Sequence, residues 1–537
     1  MHAGAALAGA QAPRPTGAAA GGRQRLLLVA LLCANFALRV ALQIRPLEFI
    51  DDLAIPDDAY LSLTIARNIA RGLGPLYGLM PTNGFQPLYV FLMAPVFAWF
   101  PHDPSLPIRA ALVLLALFDT AALFFMFRLA ARSSATRTTP FLLGLAWLLH
   151  PYAILTALNA LETSIAFCFL AALFLALDRL REAPAALGRP GAPFAIGLVL
   201  GLAALARIDS LLAAPVIAGL FLVLGRRAGL SLTRIAAASA ATAAAALLAL
   251  LPWLIYSWHW THDLLPVSGR ALRYLSLSSV DHRPTLAGFY LPMLARAAGV
   301  VVRKHALYLG LLVALAAGLP WQRGGGRELS RRITGLLPVL AFAVLLFAAY
   351  AGVVFGPWHF ARYLFPLTLA VLLLFATLAD LWLGALAGRA RTAFGLALAL
   401  AVILGSVAQP AFQRLIAPRF GGTWGYRRIG LWARDHFPPG AVIGGSQTGA
   451  LGYFADRLTV VNLDGVVNRD CYDAMRAGRM LDYVRRAGVR DLVWQDDIEL
   501  LARETQRMRP AAVTRIGRVP GFETWGASWY LYRLEFP

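Results

Sequence analysis

Residues 107–127 read PIRAALVLLALFDTAALFFMF, an apolar run broken by one arginine near its start and one aspartate past its middle. At 1.5 Å per residue such a run reaches about 31 Å, the thickness of a bilayer's hydrocarbon core. It is one of a series. Comparable runs fall at 26–42, 141–158, 163–177, 194–206, 211–224, 235–255, 306–320, 336–355, 363–383 and 394–408, so about eleven membrane helices are expected. The pair 194–206 and 211–224 is short for spanning and also reads as a single helical hairpin. After Pro410 the pattern turns polar and mixed.

Composition agrees. Of 537 residues, 59% are hydrophobic and 14% charged, with a mean hydropathy of +0.64, which excludes an ordinary soluble multidomain chain. The formal charge of +21 comes from cations scattered through short loops, which fits membrane topology and anionic lipid and argues against nucleic acid as a partner. Nearly all are arginine; Lys304 is the only lysine and is therefore singled out. Cys33, Cys168 and Cys471 make no disulfide framework. The Ala-, Gly- and Pro-rich start, with no small-residue cleavage site after the first apolar run, reads as an uncleaved signal anchor.

The run 87–100 reaches only about 21 Å and reads as a re-entrant or interfacial helix. With it excluded from the spans, Arg23 and Arg25, Arg128 to Arg137, Arg179 to Arg189, Arg226 to Arg234, Arg323 to Arg332, and Arg389 with Arg391 share one side. The positive-inside rule makes that side the cytoplasm. The expected domains are a cytoplasmic tail (1–24), a membrane domain (25–409) with a long first outer loop (43–106), and a periplasmic α/β domain (410–537). A second outer loop is expected at 256–305. The setting is a bacterial inner membrane with membrane lipids as surroundings. In the tail, strands are expected at 441–445, 458–463 and 492–494, helices near 426–436, 472–487 and 498–508, and a late strand at 529–534 closing the sheet.

The first outer loop carries Pro56-Asp57-Asp58-Ala59-Tyr60, then an amphipathic helix ending at Gly72. Asp57 as N-cap and Asp58 as a first-turn acid is one reading. In the other, an acid at the membrane surface, tuned by its carboxylate neighbour, takes the proton of an acceptor hydroxyl. Asp58 is favoured as the base because Asp57, directly after Pro56, is better placed as the cap. Glu162, Arg207 and Asp209 stand at span ends, where they pair with one another or line a cavity.

The order Asp57-Asp58-Ala59-Tyr60, Thr82-Asn83-Gly84-Phe85-Gln86-Pro87-Leu88, Asn159-Ala160-Leu161-Glu162-Thr163, Arg207-Ile208-Asp209, Leu264-Leu265-Pro266 and Trp358-His359-Phe360-Ala361-Arg362-Tyr363 resembles the GT-C glycosyltransferases. That superfamily includes aminoarabinose lipid A transferases, protein O-mannosyltransferases and mycobacterial arabinofuranosyltransferases. The last are the nearest in flavour, through Asp-Asp-Ala-Tyr and Val460-Val461-Asn462-Leu463-Asp464-Gly465. The resemblance implies a polytopic helical fold with a C-terminal α/β domain, a catalytic acid in the first outer loop, and a polyprenyl-phosphate sugar donor entering from the bilayer. The acceptor is an envelope glycan, lipid or protein. His359, Arg362, Arg270, Arg273 and Lys304 are the outer-face cations that would hold the donor phosphate, or else snorkel at the interface.

His259, His262 and Asp263 have metal-compatible spacing but follow Trp253, Tyr256, Trp258 and Trp260 in an aromatic belt, so metal dependence stays open and no cofactor can be read. Gly444-Gly445-Ser446-Gln447-Thr448-Gly449 lacks dinucleotide, P-loop and nucleophile-elbow patterns and reads as a strand-to-helix turn. The expected activity is inverting glycosyl transfer. A transporter or flippase would show internal repeats and midplane charges, and a scaffold would tolerate loss of the carboxylates.

Overall fold

The structure is a computed structural model that describes residues 18–278, 284–318, 325–417, 425–495, 512–524 and 527–536. Among these, nine helices are long and apolar enough to cross a membrane: Gly22–Gln43, Leu106–Ser133, Thr163–Glu182, Ile208–Arg227, Leu232–Thr261, Leu286–Ala317, Gly326–Val354, Leu367–Ala385 and Gly388–Val407. A tenth is reached where a bent pair of helices counts as one span. The expected span 141–158 is a pair, Thr139–Leu148 and Pro151–Ala157, bent by 57°. Pro151 forces the break because its ring excludes helical geometry at the preceding residue, and His150 Nδ1 accepts the Tyr152 amide at 3.2 Å to cap the second half.

Gly191–Ala206 is apolar but shorter than the other spans. It packs tightly on Leu232–Thr261: a Cβ at Gly197 would stand 2.2 Å from the Thr242 carbonyl oxygen, and one at Gly201 2.6 Å from Ala249 Cβ. Small residues allow this backbone approach, as is usual between membrane helices. Pro87–Trp99 is likewise a short apolar helix.

The expected second outer loop, 256–305, is largely helical. The helix Leu232–Thr261 runs past residue 255, a short helix Val267–Ser278 follows, and the next span begins at Leu286. The helix Leu291–Ala317 continues through residue 305, kinking at His305 (φ −118°, ψ 16°).

The C-terminal domain is a five-stranded sheet in the order Thr459–Asn462, Val442–Gly445, Asp491–Gln495, Ala527–Glu535, Ala512–Thr524. The first three strands are parallel and the last two pairings antiparallel. The late strand therefore lies inside the sheet, with the unforeseen strand Ala512–Thr524 at its edge. The expected helix 472–487 is two, Arg469–Arg476 and Met480–Arg486, separated at Gly478 with φ +64°. The helix expected near 498–508 lies outside the described residues. Pro410–Ile416, at the expected start of this domain, packs its Phe412 and Leu415 on Ile154 and Leu158 of the membrane domain.

Candidate active site

The first loop places its acids through the helix Asp57–Ala70, which ends at Arg71 and Gly72, the latter at φ +77°. Asp57 does not cap this helix; Pro56 holds the N-cap position and no side chain caps it. The Asp57 carboxylate instead accepts the amides of Gly449 at 2.6 Å and Ala450 at 2.9 Å, capping the short helix Gly449–Phe454 of the C-terminal domain. Arg67, further along the loop helix, donates to the carbonyls of Gly452 and Tyr453, both at 2.8 Å. One helix thus satisfies both ends of another, acid at the amides and base at the carbonyls, as the helix dipole favours.

Glycine permits the approach. A Cβ at Gly449 would stand 1.9 Å from the Asp57 carbonyl oxygen, and one at Gly84 2.0 Å from that of Val466. A second acid works alike: Asp51 accepts the Tyr60 hydroxyl at 2.5 Å and the Arg427 amide at 2.9 Å. Burial pushes both Asp51 and Asp57 up to about 7, against the hydrogen bonds that pull them down.

Asp58, one residue on, faces the other way. Its side chain keeps 28% of its surface exposed, whereas Asp57 keeps 3% as a residue. It lines a cavity of about 340 Å³ with Ser62, Gln86, Glu162, His359 and Arg362. Arg362 Nη2 donates to Asp58 Oδ2 at 2.8 Å, and His359 Nε2 lies 3.8 Å from the same oxygen. Burial raises the Asp58 carboxyl, but Arg362 and His359 outweigh it and hold the group below its ordinary range. Burial brings His359 down to about 4, so its imidazole is neutral at neutral pH. Arg362 Nε is buried with no hydrogen-bond partner among the described residues, an N–H available to an anion.

Two strained turns deliver these groups. Phe355, at φ +65°, precedes Gly356 at φ +78°, and the Gly356 amide is held by Ser276 Oγ at 3.0 Å while Phe355 packs on Phe289. This reversal brings Trp358 through Tyr363 back over the loop helix. Ala160, at φ +51°, turns the chain before Glu162, its carbonyl fixed by the Tyr89 hydroxyl at 2.6 Å. Non-glycine residues in this region cost on the order of 1–3 kcal/mol and persist where surroundings over-determine them.

Glu162, Arg207 and Asp209 form a closed cluster. Arg207 donates to Glu162 at 3.0 Å and to Asp209 at 2.6 Å, and the Tyr350 hydroxyl donates to Asp209 at 2.6 Å. Tyr363 joins this cluster to the cavity: its ring stacks on Tyr350 at 4.5 Å and lies 5.1 Å from both the Arg207 and Arg362 guanidinium carbons. Of the three, Glu162 lines the cavity.

The remaining expected cations are elsewhere. Arg270 is held by Asp263 and the Leu265 carbonyl, Arg273 is exposed, and Lys304 sits within a span over the Tyr152 ring at 5.1 Å; none lines the cavity. Asp263, bound by Arg270 and 3.5 Å from Arg469, is drawn away from His259 and His262. Among the described residues no group of three or more His, Cys, Asp or Glu side chains is arranged to hold a metal ion.

Several residues were not singled out from the sequence. Asn83 ties the first loop to the segment after Thr261, donating to the Asp263 and Leu265 carbonyls at 3.2 Å and accepting the Val267 amide at 3.1 Å. Tyr350 and Tyr363 are hidden among other apolar positions. Asp464, in the cavity wall, was quoted only within a longer motif; the glycine after it, at φ +80°, is the local signal of a turn.

Residues 418–532 match a family described as a domain of unknown function (DUF8728). No curated protein matches the chain. Among solved structures, ArnT from Cupriavidus metallidurans bound to undecaprenyl phosphate superposes with a TM-score of 0.57 at 13% identity, covering 96% of this chain and 98% of that one. The Archaeoglobus fulgidus oligosaccharyltransferase in its apo form gives 0.56 at 14%, covering 88% and 69%. The archaeal oligosaccharyltransferase AglB from the same organism, in complex with an inhibitory peptide and a dolichol-phosphate, gives 0.51 at 13%, covering 88% and 70%. At these identities the likeness is one of fold: the chain is a multi-pass membrane protein that shares the overall fold of these structures, with a C-terminal sheet domain.

Proposed function

We propose that this protein transfers a sugar from a polyprenyl-phosphate donor to a hydroxyl of an envelope glycan, lipid or protein, with inversion, on the periplasmic face of a bacterial inner membrane. The observation that carries this reading is the Asp58–Arg362 pair at 2.8 Å in the cavity wall, beside a buried guanidinium N–H with no partner among the described residues. The GT-C fold supports it, and so does the undecaprenyl phosphate of ArnT. The orientation follows from the arginine asymmetry of the short loops.

The chemistry is a single displacement. The acceptor oxygen bonds to the anomeric carbon as the bond from that carbon to the phosphate oxygen breaks, and the phosphate leaves with the electron pair without needing a proton. Asp58 takes the acceptor's proton. Arg362 serves both halves of the reaction. Its guanidinium keeps Asp58 ionised, and its free Nε–H would hold a donor phosphate and stabilise it as charge builds on leaving. A phosphate that draws Arg362 toward itself weakens its hold on Asp58 and raises the basicity of that carboxylate, so donor binding would activate the base.

Glu162, at the cavity edge, is paired with Arg207, which it shares with Asp209, so the cluster keeps one net negative charge. The cluster with Asp209 and Tyr350 serves to hold Tyr363, and through it the Arg362 side chain.

Mass spectrometry of envelope glycans and lipid-linked sugars from cells with and without the protein tests this. Loss of one glycan modification and accumulation of one lipid-linked sugar are expected in its absence. Identical profiles would reject the reading.

A further inference from the structure

The wall of the cavity opposite the loop helix belongs to the C-terminal domain, and the displacement just described does not use it. Ser446, Gln447, Asp464 and Trp494 line this wall. Asp464 stands on a tightly fixed turn after the strand Thr459–Asn462. Asn462 Oδ1 accepts the Gly465 amide at 3.1 Å, Asn468 donates to the Asn462 carbonyl at 2.8 Å, and Asp464 Oδ1 accepts the Val466 amide at 2.9 Å. A Cβ on Gly465 would stand 2.8 Å from Met475 Cε and 3.0 Å from Tyr472 Cβ, so the turn has little room to relax.

Two of the three carboxylates lining the cavity differ in one respect. Asp58 is matched by Arg362, whereas the charged groups that act most on Asp464 are Asp58 and Asp57, both of its own sign. Burial pushes Asp464 up to about 7, against the Val466 amide and the Asn462 side chain. An acid with no cation partner among the described residues suits O–H donors, which satisfy its oxygen without bringing charge. A second anion beside it would meet uncompensated repulsion in a partly dry cavity. The Trp494 indole and the Gln447 amide add an apolar edge and a two-way hydrogen-bonding group, the complement of a sugar ring's C–H and O–H faces.

We propose that Asp464 makes this wall a sugar-hydroxyl subsite that admits neutral polyols and rejects acidic sugars, an inference that rests on reading the cavity as a glycosyl-transfer site. Asp464 is a specificity-determining residue here, separate from Asp58 as proton acceptor. The titratable groups that sense it are Asp57 and Asp58 from the loop helix, Tyr77 from the first-loop hairpin, and Cys471 from the helix Arg469–Arg476. Burial raises Tyr77 and Cys471 well above their ordinary values, so both stay protonated at pH 8, where Asp464 is mainly ionised.

The test uses the full chain in phosphatidylcholine nanodiscs at pH 8, with saturation-transfer NMR reading the binding of glucose and glucuronate. Wild type is expected to bind glucose at least about tenfold better than glucuronate, and Asp464→Asn to bring the two within about twofold. Asp464→Ala is expected to weaken glucose about tenfold. Thermal unfolding of each variant accompanies the binding, and if the alanine variant does not fold, the near-isosteric asparagine variant decides. Equal binding of the two sugars by wild type, binding of neither, or unchanged discrimination in folded Asp464→Asn would overturn the proposal. Binding needs no turnover, so absence of glycosyl transfer in cells would fall on the functional reading and leave the sugar selectivity standing.

Discussion

The helix Asp57–Ala70 turns two faces to two parts of the molecule, and adjacent aspartates mark the difference. On the face toward the C-terminal domain, Asp57 is sealed, bonded to two backbone amides and backed by glycines that let the chains touch. On the face toward the cavity, Asp58 keeps solvent contact and meets side chains that can move, Arg362 and His359. The same side chain is a structural cap at one position and a cavity-lining group at the next. Environment decides which, since a carboxylate fixed by backbone has no free oxygen to offer a substrate.

The sharpest way to break this contrast is to exchange each acid for asparagine. Asp58→Asn should lower turnover by about 10²–10⁴-fold while leaving the unfolding temperature and donor binding near wild type. Asp57→Asn should instead loosen the domain seam, costing about 1–3 kcal/mol because one amide donor meets an amide instead of a carboxylate. Turnover and thermal unfolding measured side by side check both, and the reversed pattern would make Asp57 the base.

Gly449→Ala isolates the seam without touching any acid. The added Cβ has 1.9 Å to the Asp57 carbonyl oxygen, so backbone must shift, and a loss of about 1–3 kcal/mol is expected from overpacking. Limited proteolysis should then cut the C-terminal domain faster than in wild type. Unchanged resistance would mean that the seam yields more easily than its geometry implies.

The smallest effect expected is on pH. Asp51 and Asp57 hold their protons up to about 7 when folded, well above the ordinary value of 3.8. Between these limits the folded state binds more protons than the unfolded one, so the stabilisation is full below about pH 4 and is lost as pH rises through 7. The unfolding temperature should fall between pH 5 and pH 8, and the fall should shrink in Asp51→Asn. A rise over that interval would show the two acids to be ionised throughout.

Much of this molecule was legible from one sequence because the bilayer imposes a length and polarity test that local composition passes or fails. The apolar runs, the long first loop, the strand-to-helix turn at Gly444–Gly449 and the candidate acids all followed from residues near one another in the chain. Lys304 shows the limit of that logic. Expected as an outer-face cation for the donor phosphate, it stands instead over the Tyr152 ring, and no local pattern reports such a contact. The choice between Asp57 and Asp58 was of the same kind. Its position after Pro56 led to the expectation that Asp57 caps the loop helix, and the tertiary structure overturns this: Asp57 caps Gly449–Phe454, nearly four hundred residues away, leaving Asp58 to the cavity. Chain-local chemistry determined which residue types stood at the membrane surface. Which of them lines the cavity was decided by long-range contacts, because burial and charge pairing set what a carboxylate does.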